Sequence, residues 1–372
     1  MASEPVENGL ENKSQPQVDD NDLSNSDIVT QVSHCLEHCK HGSNKGFYKK
    51  SNQLGDSVML EESSKLYNKK ENGRKVEKGI AFPTCVSLNE VIDHYSPTED
   101  TVFVNDGDVV KVTLGSHIDG YVGLVSHTVF VGDTITGRKA DVLKAAWLSC
   151  EAALRKLKVG ASSNEVAKVV EKVAGQFNCT PMVGFYSHEM KRHIIEGTKH
   201  FSLSTKLEDK MDPITFGAKE VYSVNVVLTT GEHKSKSTEH TTTVYRTEVQ
   251  NRYTLKTSLG RSFMSQVNSK FPVFPFHVKS FEDERALKVG LQESLRHSLL
   301  KPYYVTSGKT GDVVAHFRFT ALLLPTGTKK ISGLAFDQFD KCNSELKVED
   351  PELLNLLSAP VNPKKKKATK EE

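Results

Sequence analysis

The stretch DGDVVKVTLGSHIDGYVGLVSHTVFV, residues 106–131, has the pattern of two β-strands joined by a turn. Val110, Val112 and Leu114 occupy alternate positions, so one side of the first strand is apolar while other side chains lie between them. The glycines that bound Gly115–Gly120 predict the turn region, after which apolar residues become frequent again. We therefore predict two consecutive strands that pair through this turn.

Two helices are predicted after this strand pair. The first covers about 138–158, where apolar residues recur at helical spacing, and Gly160 is its predicted C-cap. Ser162 and Glu165 have the S-x-x-E spacing of a capping box, which predicts the start of a second helix. That helix is expected to continue to about Phe177.

The second half of the chain continues the alternation of strands and helices. EVYSVNVVLTTG (220–231) and VVAHFRFTALLLP (313–325) predict strands, and a helix is expected over about 282–300. Near the N-terminus, apolar residues at helical spacing predict one more helix over about 28–39. Helices between antiparallel-looking strand pairs indicate an α+β fold rather than a doubly wound parallel sheet.

The composition is that of a globular protein with two polar ends. The 372 residues are 37% hydrophobic, enough for one sizeable core or two small ones. Residues 1–25 contain six acidic residues and one lysine, so we predict a disordered acidic segment. The main domain is expected over 26–345, with a tail over 346–372. No stretch has the roughly 18 apolar residues of a membrane-spanning helix, and the scattered cysteines are expected to be reduced.

Positive charge is concentrated in two segments, which are candidate RNA-binding sites. The first, from Lys65 to Lys78, contains six basic and two acidic residues. The second is the lysine run near the C-terminus, residues 364–367 with Lys370. Neither segment interleaves aromatic side chains, so RNA would be bound mostly through its phosphates, with a steep dependence on salt. The alternative is a solvated charged surface together with a nuclear-localisation signal. The residues assigned to this binding are Lys69, Lys70, Arg74, Lys75, Lys364, Lys365, Lys366, Lys367 and Lys370.

A short helix is predicted directly before the terminal lysines. Asp350 is a favourable N-cap, a proline follows it at the first helical position, and Pro360 ends the helix. Leu353, Leu356 and Leu357 form an LxxLL motif on one face, the pattern of a helix that binds in a partner's groove. An equally good interpretation is that these leucines pack on the chain's own domain.

Three local patterns resemble known sites and fail in detail. Residues 34–41 contain three histidines and two cysteines, but their spacing matches no zinc template, so packed cysteines beside surface histidines are predicted. Gly308-Lys309-Thr310 resembles the end of a P-loop, yet Tyr303 occupies the position of a required glycine. His188 and His193 are five residues apart, whereas the histidines of HExxH are four apart and share one helix face.

Several motifs, in the same order and at matching intervals, resemble type II methionine aminopeptidases. The resemblance covers about 26–335 and implies the pita-bread fold, a curved antiparallel sheet with helices outside and a pseudo-twofold axis. The motifs are GIAFPT (79–84), SLN (87–89), HYSP (94–97), GDVVKV with GSHIDG (107–120), EVYSV (220–224) and HFRFTALLLP (316–325).

The chain is more similar still to the non-peptidase relatives of these enzymes, the proliferation-associated, ErbB-receptor-binding proteins. The LxxLL tail and the terminal lysine run belong to the same resemblance, and aminopeptidases lack them. The motifs that carry it are GRKADV (137–142), SHEMKRHIIEG (187–197) and FEDER (281–285).

The resemblance also implies where a metal site would lie. Type II aminopeptidases hold two divalent metals with two Asp, one His and two Glu, whose carboxylates neutralise and bridge the metals. Carried over to this chain, these positions are Thr113, Leu124, His188, Asn225 and Arg318. One ligand of five is retained, and arginine is a permanent cation. We therefore expect no catalytic residue, no metal and no cofactor.

Two further side chains lie on motifs of this degenerate site. His94 matches the histidine that assists substrate binding in the enzymes, and His117 also lies on a matching motif. We expect Arg318 to supply positive charge where the metals lie in the enzymes and to bond to Thr113, Asn225 or backbone carbonyls. The site is either a vestigial ligand pocket or a polar cavity kept for packing.

The resemblance implies a non-catalytic protein of the cytoplasm, nucleus and nucleolus that binds structured RNA and ribosomes or their precursors. Roles in growth and transcription regulation, with nuclear or growth-factor receptors as partners, are implied as a second activity. A monomer without membrane insertion is expected. The alternatives are an active metal-dependent methionine aminopeptidase and a protein-only scaffold or co-regulator acting through the LxxLL tail.

Overall fold

A computed structural model of the protein describes residues 48–68, 73–98 and 104–362. The predicted acidic segment, the helix over about 28–39 with its histidines and cysteines, and the terminal lysines lie outside these residues, as do Lys69 and Lys70. The helices are α1 (Tyr48–Lys65), α2 (Gly137–Lys156), α3 (Ser163–Gln176), α4 (Ser258–Lys270), α5 (Glu284–Arg296) and α6 (Pro351–Ser358).

The strands alternate with these helices in the order expected of an α+β protein. They are β1 (Lys78–Leu88), β2 (Val91–Asp93), β3 (Val109–Ile118), β4 (Tyr121–Phe130), β5 (Ile135–Thr136), β6 (Thr180–Pro181), β7 (Tyr186–Met190), β8 (His200–Ser202), β9 (Val221–Thr229), β10 (Lys236–Ser237), β11 (Val244–Thr247), β12 (Phe276–His277), β13 (Leu300–Pro302), β14 (Thr306–Ser307), β15 (Val314–Leu324), β16 (Gly327–Lys330) and β17 (Cys342–Asn343).

One large antiparallel sheet organises the described residues. Its strands follow the order β1-β3-β4-β15-β9-β7-β8, with β16 beside β15 and β6 beside β9. The sequence-adjacent pair β3–β4 therefore lies near the centre, while β15 joins it to β9 from the far end of the chain. This arrangement explains why distant segments of the sequence contribute side chains to a single surface.

The two faces of the sheet differ in polarity. On the apolar face, alternate residues of β9 and β15 such as Val224, Phe317 and Phe319 form the main core with α2 and α3. At the other end of the sheet, β3 packs against α1 through residues such as Met59. A satellite of aromatic residues around α4 and α5 forms a separate small core. No helix in the described segments is long and apolar enough to cross a membrane.

The structure corrects several predicted element boundaries. β3 continues to Ile118, and only Asp119 and Gly120 form the turn, with φ of 50° and 82°. Gly115 is a strand residue opposite Leu124. A Cβ at Gly115 would lie 2.4 Å from Leu124 Cδ2, so this glycine is required by close packing rather than by a turn.

The end of α2 was also predicted wrongly. Gly160 is not its C-cap, because the helix ends at Lys156 and Leu157 leaves it in an extended conformation to become fully buried. The following helix begins as predicted, with Ser162 as N-cap, although its side chain accepts from the Asn164 N–H rather than from that of Glu165. The predicted helix over 282–300 is the shorter α5.

Candidate functional site

The surface opposite the main core is lined by polar side chains, and we call it the polar face. Strand register places Arg318 of β15 opposite both Asn225 of β9 and Ser126 of β4. Ser126 is in turn opposite Thr113 of β3. Directly opposed residues project to the same side of a sheet, so these four side chains form a continuous row across four strands.

The remaining two positions of the predicted site adjoin this row. His188 of β7 is opposite Ser223, two residues before Asn225 on β9. Leu124 lies two residues before Ser126 on β4, and its backbone N–H donates to Thr320 Oγ1 at 3.0 Å. The structure thus brings Thr113, Leu124, His188, Asn225 and Arg318 together on the polar face. Their descent from metal ligands stays a hypothesis.

The neutral members of the row are hydrogen-bonded to one another or to neighbours. Thr113 Oγ1 and Ser126 Oγ are 2.8 Å apart, and both residues are buried. Asn225 Oδ1 accepts from His316 Nε2 at 2.5 Å. His316 lies two residues before Arg318 on β15 and therefore belongs to the polar face.

Arg318 has a different partner from the ones predicted. Its guanidinium does not bond to Thr113 or Asn225, which are engaged elsewhere; instead Nη2 lies 3.8 Å from Asp93 Oδ2. Both side chains are almost fully buried, at 8% and 2% exposure. The prediction failed because a nearby carboxylate balances a buried cation better than neutral groups do.

Asp93 is the anionic centre of the polar face. Its Oδ1 accepts from the His94 backbone N–H at 2.8 Å, and Oδ2 lies 3.6 Å from His316 Nδ1. Burial raises the pKa of Asp93, but at the acidic pH where this carboxyl titrates the positive charges of His94, His316 and Arg318 outweigh burial and hold that pKa well below its usual range. Asp93 is therefore ionised at neutral pH.

Three histidines on this face, His117, His188 and His316, have pKa values lowered by burial. Burial lowers the pKa of His316 to about 3, against the attraction of Asp93. Burial, reinforced by the Arg318 charge, lowers the pKa of His188 to about 4. Burial and the neighbouring His193 likewise lower the pKa of His117 to about 4.

His94 and His117 lie toward the ends of the polar face. His94 has a positive φ of 65°, and its Nδ1 is 3.3 Å from the Tyr304 carbonyl oxygen. Its ring contacts those of Phe82 and Tyr303, with centroids 5.7 and 5.2 Å away. The His117 ring lies against an aromatic side chain, with centroids 4.4 Å apart. His94 also lies beside Asp93, with Nε2 3.5 Å from Asp93 Oδ2.

Sequence reasoning missed Asp93, His316 and Lys111. Lys111 lies two residues before Thr113 on β3, is 1% exposed, and donates from Nζ to the Asn89 carbonyl oxygen at 2.6 Å. Burial lowers the pKa of Lys111 to about 7. The available signal was the even spacing from Lys111 to Thr113 and from His316 to Arg318, which places each pair on one face of its strand.

The donor set of the polar face does not fit a pair of divalent metals. It offers a hydroxyl, an alkyl group, an imidazole, an amide and a guanidinium where the resemblance places five ligands. In the described part of the chain, no three His, Cys, Asp or Glu side chains are grouped so that they could hold a metal. The HExxH-like stretch is in β7 and the turn after it, not in a helix.

The other predicted site residues that the structure describes lie away from the polar face. Arg74 and Lys75 are exposed just before β1. Leu353 of α6 is 2% exposed in the main core, and Leu356 and Leu357 pack partly buried against it. The LxxLL leucines therefore pack on the chain's own domain. Whether they also bind a receptor stays a prediction.

The fold and this polar face define the chain as an aminopeptidase-like pita-bread protein. The sequence profile of metallopeptidase family M24 matches residues 38–233, and the chain belongs to this family. The predicted fold and family resemblance are confirmed.

The chain is similar to several relatives over most of its length. The chain is 36% identical to ERBB-3 binding protein 1 of Solanum tuberosum over 84% of this chain and 81% of that one. It is 38% identical to proliferation-associated protein A of Dictyostelium discoideum, covering 86% and 83%. Identity to the curved DNA-binding protein of Schizosaccharomyces pombe is 36%, covering 84% and 83%.

A solved structure supports the same fold. The structure of a thermophilic Arx1 superposes with a TM-score of 0.83 at 28% identity, covering 93% of this chain and 100% of that one. The similarity thus extends over almost the whole domain and includes the strands that form the polar face.

Proposed function

We propose that this protein is a non-catalytic binding protein that retains the aminopeptidase fold. The observation that carries this proposal is the buried Arg318, a permanent cation at the position where the resemblance places a bridging glutamate. A divalent ion about 4 Å from a guanidinium would be repelled by roughly 8 kcal/mol at an effective dielectric constant of 20. Asp93 is the carboxylate paired with Arg318, so it offers little compensation.

Two measurements test the absence of peptidase activity. Purified full-length protein should contain metal well below one equivalent by elemental analysis. It should release no methionine from a Met-Ala-Ser peptide in a buffer containing cobalt or manganese, where an active methionine aminopeptidase serves as the positive control. Two tightly bound metals together with turnover would establish the alternative, an active aminopeptidase.

The binding activity proposed is for structured RNA and for ribosomes or their precursors, in the cytoplasm and nucleus. The basic segments support this proposal, as does a relative named a curved DNA-binding protein. Of the described basic residues between 65 and 78, Lys65 pairs with Glu62 and Lys78 donates to Asn68. Arg74 and Lys75 are exposed and available to phosphates.

Ribosome co-sedimentation at rising salt tests this binding. Full-length protein should sediment with ribosomes at low salt and be released steeply as salt increases, because phosphate contacts displace counterions. A chain stopped at Pro363, and separately Arg74→Glu with Lys75→Glu, should each weaken binding. The matched control is Lys168→Glu with Lys288→Glu, which makes the same charge change on exposed helical positions.

Salt-insensitive sedimentation would favour the protein-only scaffold. If the control variant loses as much binding as the test variants do, general positive charge rather than these segments is responsible. A co-regulator role through the LxxLL tail would require α6 to leave the core, since Leu353 is buried there. A peptide of residues 348–362 should then bind a receptor groove more tightly than the full chain does.

A further inference from the structure

Several buried polar atoms on the polar face have no hydrogen-bond partner among the described residues, Asp93 Oδ2, His316 Nδ1 and His117 Nδ1 among them. Three more come from adjacent strands: Arg318 Nε, Ser223 Oγ and His188 Nδ1. Ser223 is fully buried and Arg318 is 8% exposed. Leaving a buried donor unsatisfied costs about 1–3 kcal/mol, and more for a charged group. Three such groups side by side therefore point to a missing partner.

The three groups lie on adjacent strands and on the same side of the sheet. Arg318 is opposite Asn225, which is two residues from Ser223, and Ser223 is opposite His188. An arginine side chain is long enough to reach a diagonal neighbour on the next strand. One small ligand above β9 could thus contact groups from β15, β9 and β7.

Arg318 supplies the hydrogen-bond donors and the positive charge that an anionic ligand would need. Arg318 has five N–H donors, and its ionic partner in the described chain, Asp93, lies 3.8 Å from Nη2, beyond hydrogen-bonding distance. Asp93 is itself held by the His94 backbone N–H. The planar fork of a guanidinium fits a carboxylate in a two-point contact, and Ser223 Oγ can donate a further hydrogen bond.

The surroundings of Arg318 also include an apolar wall. Leu124 is two residues from Ser126, the residue opposite Arg318 on β4. Leu124 packs with Phe82 and Tyr303 in a buried apolar cluster. A ligand held at Arg318 would therefore place a small hydrocarbon group against Leu124.

We propose that the polar face binds a carboxylate that carries a small branched or linear apolar group, with Arg318 as the anion clamp. The ligand is either a free short-chain acid or the C-terminal carboxylate of a peptide. Ser223 and His188 complete the hydrogen bonding. This proposal does not rest on the proposed RNA binding.

Isothermal titration calorimetry on the full-length protein tests the site with 3-methylbutanoate and its neutral isostere 3-methylbutanamide. The acid should bind saturably, and the amide at least about tenfold more weakly, because it cannot pair with the guanidinium. Acetyl-Ala-Leu with a free or amidated C-terminus distinguishes the sources. Tighter binding of the free peptide than of the short acid identifies a peptide terminus, and the reverse order identifies a small acid.

Variants separate the clamp from general charge. Arg318→Lys keeps the positive charge but loses the fork, and should weaken binding of the acid at least about tenfold. Ser223→Ala removes one small hydroxyl and should weaken it about threefold. Arg285→Lys, the same substitution at an exposed position of α5, should leave it unchanged.

Three results would overturn the proposal. They are no saturable binding of either carboxylate at tens of millimolar, equal binding of acid and amide, and unchanged binding by Arg318→Lys. If Arg318→Lys does not fold, unchanged affinity in Ser223→Ala together with equal binding of acid and amide by the unaltered protein would have the same force.

Discussion

Arg318 and Asp93 form a buried ion pair that connects the central sheet to the short strand β2, with Nη2 and Oδ2 3.8 Å apart. The two residues are distant in sequence and belong to different sheets. Their mutual dependence follows from burial, because neither charge has enough water around it to be stable alone. Removal of either partner would therefore leave an uncompensated buried charge.

Replacing Asp93 with asparagine should destabilise the protein by about 3–5 kcal/mol, since Arg318 would be left as an uncompensated buried cation. The measurement is the free energy of unfolding from urea denaturation. Asp119→Asn is the matched control, because its 2.6 Å pair with Arg192 is 44% exposed on both sides. That change should cost less than about 1 kcal/mol. Equal losses in the two variants would contradict the importance of burial.

Lys111 should make stability rise with pH in the alkaline range. Its pKa is about 7 in the folded protein and 10.5 when exposed, so the unfolded chain binds more protons between these values. The free energy of unfolding should therefore increase from about pH 7 to pH 10, and Lys111→Met should remove that increase. Lys288→Met, at an exposed site, should run parallel to the unaltered protein. A Lys111→Met profile with the original slope would refute the assignment.

His316 should make stability fall as the solution is acidified. Because burial lowers its folded pKa to about 3 from 6.5, the unfolded chain takes up the proton first. Its contribution is complete above pH 6.5 and declines as pH falls toward 3. Over pH 6.5 to 4.5, His316→Gln should lose less stability than the unaltered protein. His200→Gln, at an exposed position, is the control and should show the original decline.

Gly115→Ala should destabilise the centre of the sheet by about 1–3 kcal/mol through overpacking. The new Cβ would lie 2.4 Å from Leu124 Cδ2 and 3.1 Å from the Gly123 carbonyl oxygen, and the backbone atom cannot move freely. Gly175→Ala in α3 meets no atom within 4 Å and should stabilise by up to about 1 kcal/mol. Thermal unfolding of both variants measures the difference, and a neutral Gly115→Ala would show that β3 and β4 can separate.

Two adjacent leucines of α6 should differ in their response to replacement by aspartate. Leu353 is 2% exposed and Leu354 is 48% exposed, so Leu353→Asp buries an unpaired charge while Leu354→Asp does not. Limited proteolysis should cut Leu353→Asp within residues 348–362 much faster than the unaltered chain. The Leu354→Asp chain should be cut at the original rate. Rapid cleavage of all three proteins would mean that α6 is not docked in solution.

Much of the fold follows from short-range patterns in the sequence. The strands around 106–131, 220–231 and 313–325 and the N-caps Ser162 and Asp350 were predicted because alternation and capping depend on near neighbours. The end of α2 was not, because Leu157 leaves the helix to fill the core. Such a choice depends on tertiary packing.

The candidate site was only partly predictable, for a similar reason. The resemblance supplied five positions, and the register of the sheet brings them onto one face. The partner of Arg318 could not be deduced, since Asp93 comes from a three-residue strand in another sheet. Lys111 lies between Val110 and Val112 and therefore on the less apolar side of its strand, but nothing in the local sequence indicates that this side is buried as well.

The docking of α6 has a consequence for how partners could share this molecule. Asn362 and Thr328 are joined by two hydrogen bonds of 2.9 Å, so the last described residue lies on the helix-covered side of the sheet. Arg318 projects to the other side. The sheet therefore separates two surfaces: a partner bound over α6 and a carboxylate held by Arg318 would contact opposite sides of it. Simultaneous occupancy by both would leave the two affinities simply additive in free energy.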